Sequence, residues 1–180
     1  MALSSTMYVF NVSLSDIDRG VYENLEVRAA MHPSESDDYL VMRVLAYCLE
    51  YCEGISFSKG GVSDRDEPTL YARDLTGAYT LWVEIGSPAP ERLHLAAKSA
   101  PRVALYCHRD PHLLPQRLKG TNIHREEEIS AYTLDRCFLE ALTDRLQRRM
   151  SLTLTVSEQQ LYCAVGEETL QTPVMPLSLR

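Results

Sequence analysis

The sequence predicts an α/β protein in which a central mixed sheet is flanked by helices and a hairpin is added near each end. Apolar stretches at residues 69–74 and 79–85 lie on either side of a Thr-Gly turn at 76–77, a pattern typical of an antiparallel hairpin. A helical stretch at 90–100 and an apolar stretch at 102–107 follow, and this order favours a parallel crossover. We expect the 180 residues to form one domain.

The N-terminal part of the chain predicts a hairpin and then a helix. Residues 6–14 and 22–32 alternate between apolar and polar side chains, as two half-buried strands would. Ser34 is a candidate N-cap for the helix that we predict over 34–51. A broad apolar stripe at helical spacing runs along that segment, and Leu45 within it is a predicted core residue.

The remaining elements follow from shorter patterns. Residues 55–58 and 122–125 are predicted as short strands, and 133–147 as an amphipathic helix. Residues 151–156 and 160–165 then alternate on either side of a short turn, so they predict a C-terminal hairpin.

Composition and cysteine usage indicate a globular protein of a reducing compartment. The hydrophobic share is 45%, and the chain has no run of apolar residues long enough to span a membrane. The N-terminus lacks a basic stretch followed by a long apolar one, so we expect no secretory signal. The five cysteines are scattered, and Cys48 and Cys52 share an apolar helix face, which favours core thiols. We therefore expect a cytoplasmic protein without membrane association.

Charge is unevenly distributed along the chain, whose formal net charge is −7. Residues 1–89 contain fourteen acids and six bases, whereas 91–125 contain seven bases and two acids. The acidic total argues against a protein that coats nucleic acid in general. The basic segment 91–125 can receive phosphate groups, or it can be an ordinary solvated surface.

Glu84 is the residue that most needs an explanation. It lies in the apolar stretch LWVEI, two residues after Trp82, a predicted core residue. A carboxylate is costly to bury there unless it is paired or holds a cation. The residues leave two explanations open: a metal site shared with Asp74, or a salt bridge from Glu84 to Arg92 or Lys98.

Several motifs make the chain similar to a known family. They are the start MALSSTMY, HPSE at 32–35, DEP at 66–68, and DLTGAYTLWVEIGSP at 74–88. Through them, and over essentially its whole length, the chain resembles the YaeQ family of small bacterial proteins. The predicted order from Ser34 onward is helix, three strands, helix and strand, which resembles the restriction-endonuclease-like core of the PD-(D/E)XK superfamily.

The resemblance implies a metal-dependent site. In the superfamily, acids on two adjacent core strands hold one or two Mg²⁺ ions, which activate water and offset the charge of the scissile phosphate. Asp74 matches the first acid and Glu84 the second, so both are predicted catalytic and metal-binding residues. Glu35, in the first turn of the first helix, matches a further metal-binding acid of some members. The implied cofactor is Mg²⁺ or Mn²⁺, and the three acids are expected to converge.

The resemblance also implies two basic site residues. A superfamily lysine usually follows the second acid by two residues and orients the attacking water. That position is Gly86 here, which departs from the pattern. Lys98, on the next helix, matches the migrated lysine of some members and is the predicted third catalytic residue. Arg92 follows at the spacing of the family and is the predicted substrate-binding residue.

Two functions compete at this point. The first is a Mg²⁺-dependent phosphodiesterase, nuclease-like, that acts on nucleic acid. The second is a nuclease-like scaffold without catalysis that serves as a binding or regulatory module, which Gly86 and the acidic net charge favour. A purely structural protein is harder to reconcile with the acid in LWVEI. The sequence leaves the oligomeric state open.

Most candidate residues have a structural alternative. Asp74 can cap the turn that follows it, and Glu35 can stabilise the start of a helix. Lys98 can be a solvated helix residue, and Asp66 and Glu67 can be ordinary loop acids.

Overall fold

The computed structural model describes residues 5–58 and 67–180. The chain divides into two compact units. One contains the residues up to Leu49 together with Leu134–Met175, and the other contains Glu50–Thr133 together with Pro176–Arg180. The single domain expected from the sequence stays a prediction. Asp66 and most of the charged loop around it lie outside the described residues.

The helices and strands follow one another in a mixed order. In chain order they are β1 (Thr6–Asp16), β2 (Val21–Met31), α1 (Asp37–Leu49), β3 (Ser56–Phe57), β4 (Leu70–Arg73), β5 (Tyr79–Ile85), α2 (Pro90–Ser99), β6 (Arg102–Cys107), α3 (Leu113–Leu118), β7 (Ser130–Thr133), α4 (Arg136–Thr143), β8 (Arg149–Ser157), β9 (Gln160–Val165), β10 (Glu168–Pro173) and β11 (Met175–Pro176). In the described parts of the chain, no helix combines the length and the apolar character needed to cross a membrane.

The first unit is a five-stranded mixed sheet covered by α1 and α4. Its strand order is β10-β9-β8-β1-β2, with β1 and β8 parallel and the other neighbours antiparallel. Apolar side chains of the sheet and of the two helices lie together between them. They include Phe10 of β1 and Met150 and Leu152 of β8 from the sheet, and Val41, Val44 and Leu45 of α1 and Leu142 of α4 from the helices. Leu45 is 1% exposed, which confirms it as a core residue.

The second unit is a mixed sheet of order β11-β7-β6-β5-β4-β3. Strands β5, β6 and β7 are parallel, and β4 and β3 continue the sheet in antiparallel pairs. Helix α2 connects β5 to β6 and packs on both. Trp82, which is 1% exposed, lies in the same core cluster as Leu93 of α2 and Val103 of β6, as expected for a covered strand.

The predicted hairpins and the parallel crossover are confirmed, but their assembly differs from the expectation. The terminal hairpins were expected as two separate additions to the core. Instead β1 and β8 pair in parallel, with Val9 opposite Arg149, and this pairing builds a second mixed sheet. The strand predicted at 122–125 is wrong, because the chain there has no strand and β7 begins only at Ser130.

The start of the first helix also differs from the expectation. The helix begins at Asp37, and Leu40 N donates to Ser36 O at 3.1 Å. The Ser34 hydroxyl instead contacts Nδ1 of His32 at 2.6 Å. Ser34 is therefore not the N-cap, and the first helical turn is preceded by a local turn.

Candidate functional site

Asp74 is the cap of the β4–β5 turn. Its Oδ1 accepts hydrogen bonds from Thr76 N at 2.8 Å, from Thr76 Oγ1 at 2.6 Å and from Ala78 N at 3.0 Å. The Thr76 hydroxyl is the main cause that lowers the pKa of Asp74, and backbone N–H groups of the turn add to it. Asp74 is exposed, so the structural alternative, an acid that fixes a tight turn, accounts for its position.

Asp74 and Glu84 lie at opposite ends of the hairpin. Asp74 N donates to Ala78 O at the turn, whereas Leu70 pairs with Val83 at the other end. Glu84 follows Ala78 by six positions of extended chain, which corresponds to about 20 Å between the two residues at ~3.3 Å per residue. The expected convergence of Asp74 and Glu84 in one pocket is therefore wrong, because one ion cannot contact both carboxylates.

Glu84 is buried and bonded on both oxygens. It is 2% exposed and lies on the face of β5 that α2 covers. Its Oε1 is 2.8 Å from Arg92 Nε and accepts from Trp82 Nε1 at 2.6 Å. Its Oε2 accepts from Thr69 Oγ1 at 3.3 Å. Burial raises the pKa of Glu84, and the bonds from Arg92, Trp82 and Thr69 oppose that rise.

Arg92 connects three segments of the second unit. It lies in the first turn of α2, two residues after Pro90. Besides its ion pair with Glu84, its Nη2 donates to Glu67 O at 2.6 Å. The guanidinium therefore ties α2 both to β5 and to the segment that enters β4. The salt bridge to Arg92, one of the two explanations left open for Glu84, is the one that the structure contains.

Gly86 occupies a backbone position that disfavours a lysine. Its φ is +97°, in the left-handed region that glycine tolerates and residues with a Cβ rarely adopt. A Cβ built there would be 3.4 Å from Cε1 of His108. Gly86 N also donates to Tyr106 O at 2.8 Å, which holds the turn close to β6. The departure from the superfamily pattern at this residue is thus built into the local backbone.

Lys98 lies at the other end of α2 from Arg92. It is exposed in the last turn of the helix, six residues after Arg92. Six residues correspond to about 9 Å along the axis and about 240° around it. The helix returns the chain to the start of β5, where Arg102 is paired with Leu81. The structure does not bring Lys98 to Glu84, so the expected projection of a migrated lysine toward this acid is wrong.

Glu67 is an acid at the same end of the β4–β5 hairpin as Glu84. It precedes Thr69, whose hydroxyl donates to Glu84, and its own Oε2 accepts from Ser58 Oγ at 2.8 Å. In the sequence Glu67 resembles an ordinary loop acid. The antiparallel register identifies it, because Leu70 pairs with Val83 and the next pair outward therefore places Thr69 opposite Glu84. Glu67 is two residues before Thr69 and so lies at the same end of the hairpin.

Glu35 belongs to the first unit and has a buried basic partner. Its Oε2 is 2.8 Å from Arg43 Nη2, and the two side chains are 0% and 4% exposed. Burial raises the pKa of Glu35, while Arg43 and a backbone N–H bond at His32 oppose the rise. Arg43 Nη2 also donates to Ala30 O at 2.9 Å, so the pair links α1 to β2. A joint role of Glu35 with Glu84 stays a prediction.

The acids of the candidate site do not fit the expected Mg²⁺ or Mn²⁺ site. Such an ion needs several oxygen ligands at about 2.0–2.6 Å. Asp74 lies too far from Glu84, and both oxygens of Glu84 already accept bonds from protein donors. Within 5–58 and 67–180, no three His, Cys, Asp or Glu side chains are grouped so that they could hold a metal ion.

A second buried glutamate lies on the other face of the same sheet. Glu50 is 2% exposed, and its Oε2 is 2.5 Å from Arg102 Nη2. Its Oε1 accepts from the Tyr106 hydroxyl at 2.8 Å. Arg102 and Tyr106 alternate with Val103 and Leu105, which point into the core under α2. Glu50 was not predicted as a buried residue, since an acid at the end of a helix resembles any solvated residue in the sequence.

Comparisons with known proteins agree over nearly the whole chain. The family model described as YaeQ protein matches residues 1–174. A relative from Salmonella typhi, named as an uncharacterized protein YaeQ, is 28% identical over 173 residues, which cover 95% of this chain and 94% of the relative. The corresponding protein of Escherichia coli K12 is 27% identical over the same shares of the two chains.

Solved structures give the same result. The crystal structure of the YaeQ protein from Pseudomonas syringae has a TM-score of 0.86 at 27% identity and covers 97% of this chain and 96% of its own. The YaeQ structure from Xanthomonas axonopodis pv. citri has a TM-score of 0.85 at 26% identity, with coverages of 96% and 98%. The chain therefore belongs to the YaeQ family, as its motifs indicated.

Proposed function

We propose that this protein is a non-catalytic binding or regulatory module built on a restriction-endonuclease-like core. One observation carries the proposal: the Glu84 carboxylate, the best candidate for a catalytic acid, is used to hold Arg92, Trp82 and Thr69 in place. A metal-binding acid must present free oxygen lone pairs to an ion, whereas three of the roughly four acceptor sites of Glu84 are taken by an arginine and two neutral donors.

The chain order supports the nuclease-like core. The elements α1, β3, β4, β5, α2 and β6 follow one another in the order of that fold. The pairings β3–β4 and β4–β5 are antiparallel, and β5–β6 is parallel. The chemistry of the superfamily is what the residues lack, since Gly86 replaces the usual lysine and the two acids lie apart.

Nucleic acid is the partner that the charge distribution favours. The basic segment 91–125 carries seven bases and two acids. Among its cations Lys98, Arg109, Arg117 and Lys119 are exposed to solvent. Exposed lysines and arginines contact phosphates without reading base sequence, and such contacts release counterions. The proposed binding is therefore sensitive to salt and largely independent of sequence.

The first test is a cleavage assay. The wild type, Glu84→Gln and Glu67→Gln would be incubated with plasmid DNA, single-stranded DNA and RNA in the presence of Mg²⁺ or Mn²⁺. Glu140→Gln is the matched control, because Glu140 is an exposed acid of α4. We expect the wild type to show no metal-dependent cleavage that depends on Glu84. Any nucleic acid cleavage seen with Mg²⁺ or Mn²⁺ should therefore be the same in Glu84→Gln. Cleavage by the wild type and the control, with loss in Glu84→Gln, would reject the proposal in favour of the phosphodiesterase.

The second test measures binding directly. Fluorescence anisotropy with labelled DNA and RNA at several salt concentrations gives the number of phosphates neutralised, at about 0.9 logarithmic units of slope per contact for double-stranded DNA. The double variant Lys98→Gln/Arg109→Gln should lower the slope by about one to two. An unchanged slope, or no binding at low salt, would remove nucleic acid as the partner.

A further inference from the structure

The second unit contains a groove between the end of α3 and the C-terminal residues of the chain. It has a volume of about 690 Å³, within the range of ligand pockets in proteins. Its apolar part consists of Pro115, Leu118 and Leu179. Leu118 is 4% exposed and Leu179 is 7% exposed, so both also belong to the core of the unit.

The walls of the groove are fixed by hydrogen bonds. Thr121 N donates to Leu118 O at 3.1 Å, and Thr121 Oγ1 donates to the same oxygen at 2.5 Å, which closes the turn after α3. On the other side, Leu177 N donates to Ala131 O at 2.8 Å. Arg180 Nε and Nη2 both donate to Oε2 of the buried Glu126. The groove therefore has ordered backbone on both sides.

Three polar side chains of the groove have unused hydrogen-bonding groups. Gln116, Lys119 and Asn122 line it and are exposed. Across the chain segments that the structure describes, the side chains of these three residues make no hydrogen bond or ion pair with protein groups. An ammonium and two amides next to an apolar wall match the usual composition of a small-molecule site, in which a few polar groups orient an apolar body.

The charge of the groove selects the kind of ligand. Its lining includes Lys119 and Arg180 and no acidic residue, although the protein has a net charge of −7. Glu126 pairs with the Arg180 guanidinium, which leaves Lys119 as the charged side chain of the lining that has no acidic partner among the described residues. We propose that the groove binds a small organic anion with an apolar body, whose charged group contacts Lys119 and whose apolar part covers Leu118 and Leu179. This proposal does not depend on the proposed function.

The probe that tests it is 8-anilinonaphthalene-1-sulfonate, a naphthalene body with one sulfonate. Its binding to the folded protein would be followed by fluorescence and calorimetry, with N-phenyl-1-naphthylamine as the neutral analogue. We expect saturable binding of one probe per chain, and weaker binding of the neutral analogue. Lys119→Gln should weaken the sulfonate probe about fivefold, the effect of about 1 kcal/mol from one exposed charge.

Three further variants separate the groove from the rest of the surface. Lys119→Arg keeps the charge and should retain binding, and Arg148→Gln removes an exposed cation outside the groove and should leave binding unchanged. Asn122→Glu places an acid in the lining and should weaken binding more than Lys119→Gln. Circular dichroism and the melting temperature confirm that each variant is folded, so that probe fluorescence does not report unfolding.

The result that overturns the proposal is equally defined. Equal weakening by Arg148→Gln and Lys119→Gln would show general attraction of the anion to the surface. Retention of binding in both Lys119→Gln and Asn122→Glu, equal affinity for the neutral analogue, or no saturable binding would each reject the groove as an anion site.

Discussion

Removal of Arg92 tests the interpretation of Glu84 most directly. In Arg92→Met the apolar stem keeps its volume, but Glu84 loses its cation and keeps only the bonds from Trp82 and Thr69. Breaking a buried ion pair at one partner costs about 3–5 kcal/mol, because a charge remains uncompensated. The Arg92 side chain is 22% exposed, so water screens part of this cost. We expect a loss of about 2–4 kcal/mol in unfolding free energy at neutral pH.

The loss should depend on pH in a defined direction. Burial raises the pKa of Glu84, so the folded state holds this proton more tightly than the unfolded chain does. The protonated Glu84 carboxyl therefore contributes its full share of the unfolding free energy below the ordinary glutamate pKa of about 4.3, and this share is lost as the pH rises through the raised pKa. Without Arg92 the pKa rises further. The loss of unfolding free energy in Arg92→Met should be small at about pH 5 and larger at about pH 8.

Urea unfolding of four proteins at both pH values measures this effect. They are the wild type, Arg92→Met, Glu84→Gln and the double variant. Glu84 and Arg92 should show a coupling of more than about 1 kcal/mol, with the double variant more stable than Arg92→Met at the higher pH. The matched control is the exposed pair of Arg136 and Glu140, 88% and 58% exposed, whose coupling should be near about 0.3–0.5 kcal/mol. A pH-independent loss in Arg92→Met, or a coupling no larger than that of the control, would refute the reasoning.

Three further predictions concern the core, a turn and metal ions. Trp82→Ala should cost about 3–5 kcal/mol in chemical denaturation, because Trp82 is 1% exposed, and a near-neutral effect would show that β5 is not central. Glu158 and Gln159 form a two-residue turn with φ of 51° and 60°, so replacing them by Asn-Gly should stabilise the protein by about 1 kcal/mol, and an unchanged melting temperature would contradict this. Mg²⁺ or Mn²⁺ should not raise the melting temperature through Glu84, whereas a rise that disappears in Glu84→Gln would restore the metal site.

Local pairings could be predicted from the sequence, and distant ones could not. Each hairpin joins strands that are close in sequence, so alternation and turn residues were enough to find them. The pairing of β1 with β8 joins Val9 to Arg149 across most of the chain. Such a contact leaves no periodic signal in either strand, which is why the sequence did not predict that the two terminal hairpins share one sheet. The apolar strand around Trp82, in contrast, was identified because its burial on both faces shows in its composition.

The candidate site illustrates a different limit. An acid in an apolar strand is costly to bury, so the sequence alone predicted that Glu84 needs a partner. The motif indicated Asp74 as a second ligand of a shared metal ion, and a salt bridge to Arg92 or Lys98 was the alternative. The register of the hairpin follows from its turn at 76–77 and places Asp74 at the opposite end of β5 from Glu84. The motif identified the right strand, and the geometry of the hairpin selects the acid that can lie near Glu84.

The position of Arg92 shows how such a partner can be found in other sequences. In a parallel crossover the first turn of the helix lies over the carboxyl end of the strand that precedes it. Glu84 is the next-to-last residue of β5, and Arg92 is in the first turn of α2. Only the turn around Gly86 lies between them, and its left-handed backbone folds the helix back onto the strand. An acid at the end of a buried strand, followed after such a turn by an arginine that opens a helix, therefore predicts an internal ion pair before it predicts a metal site.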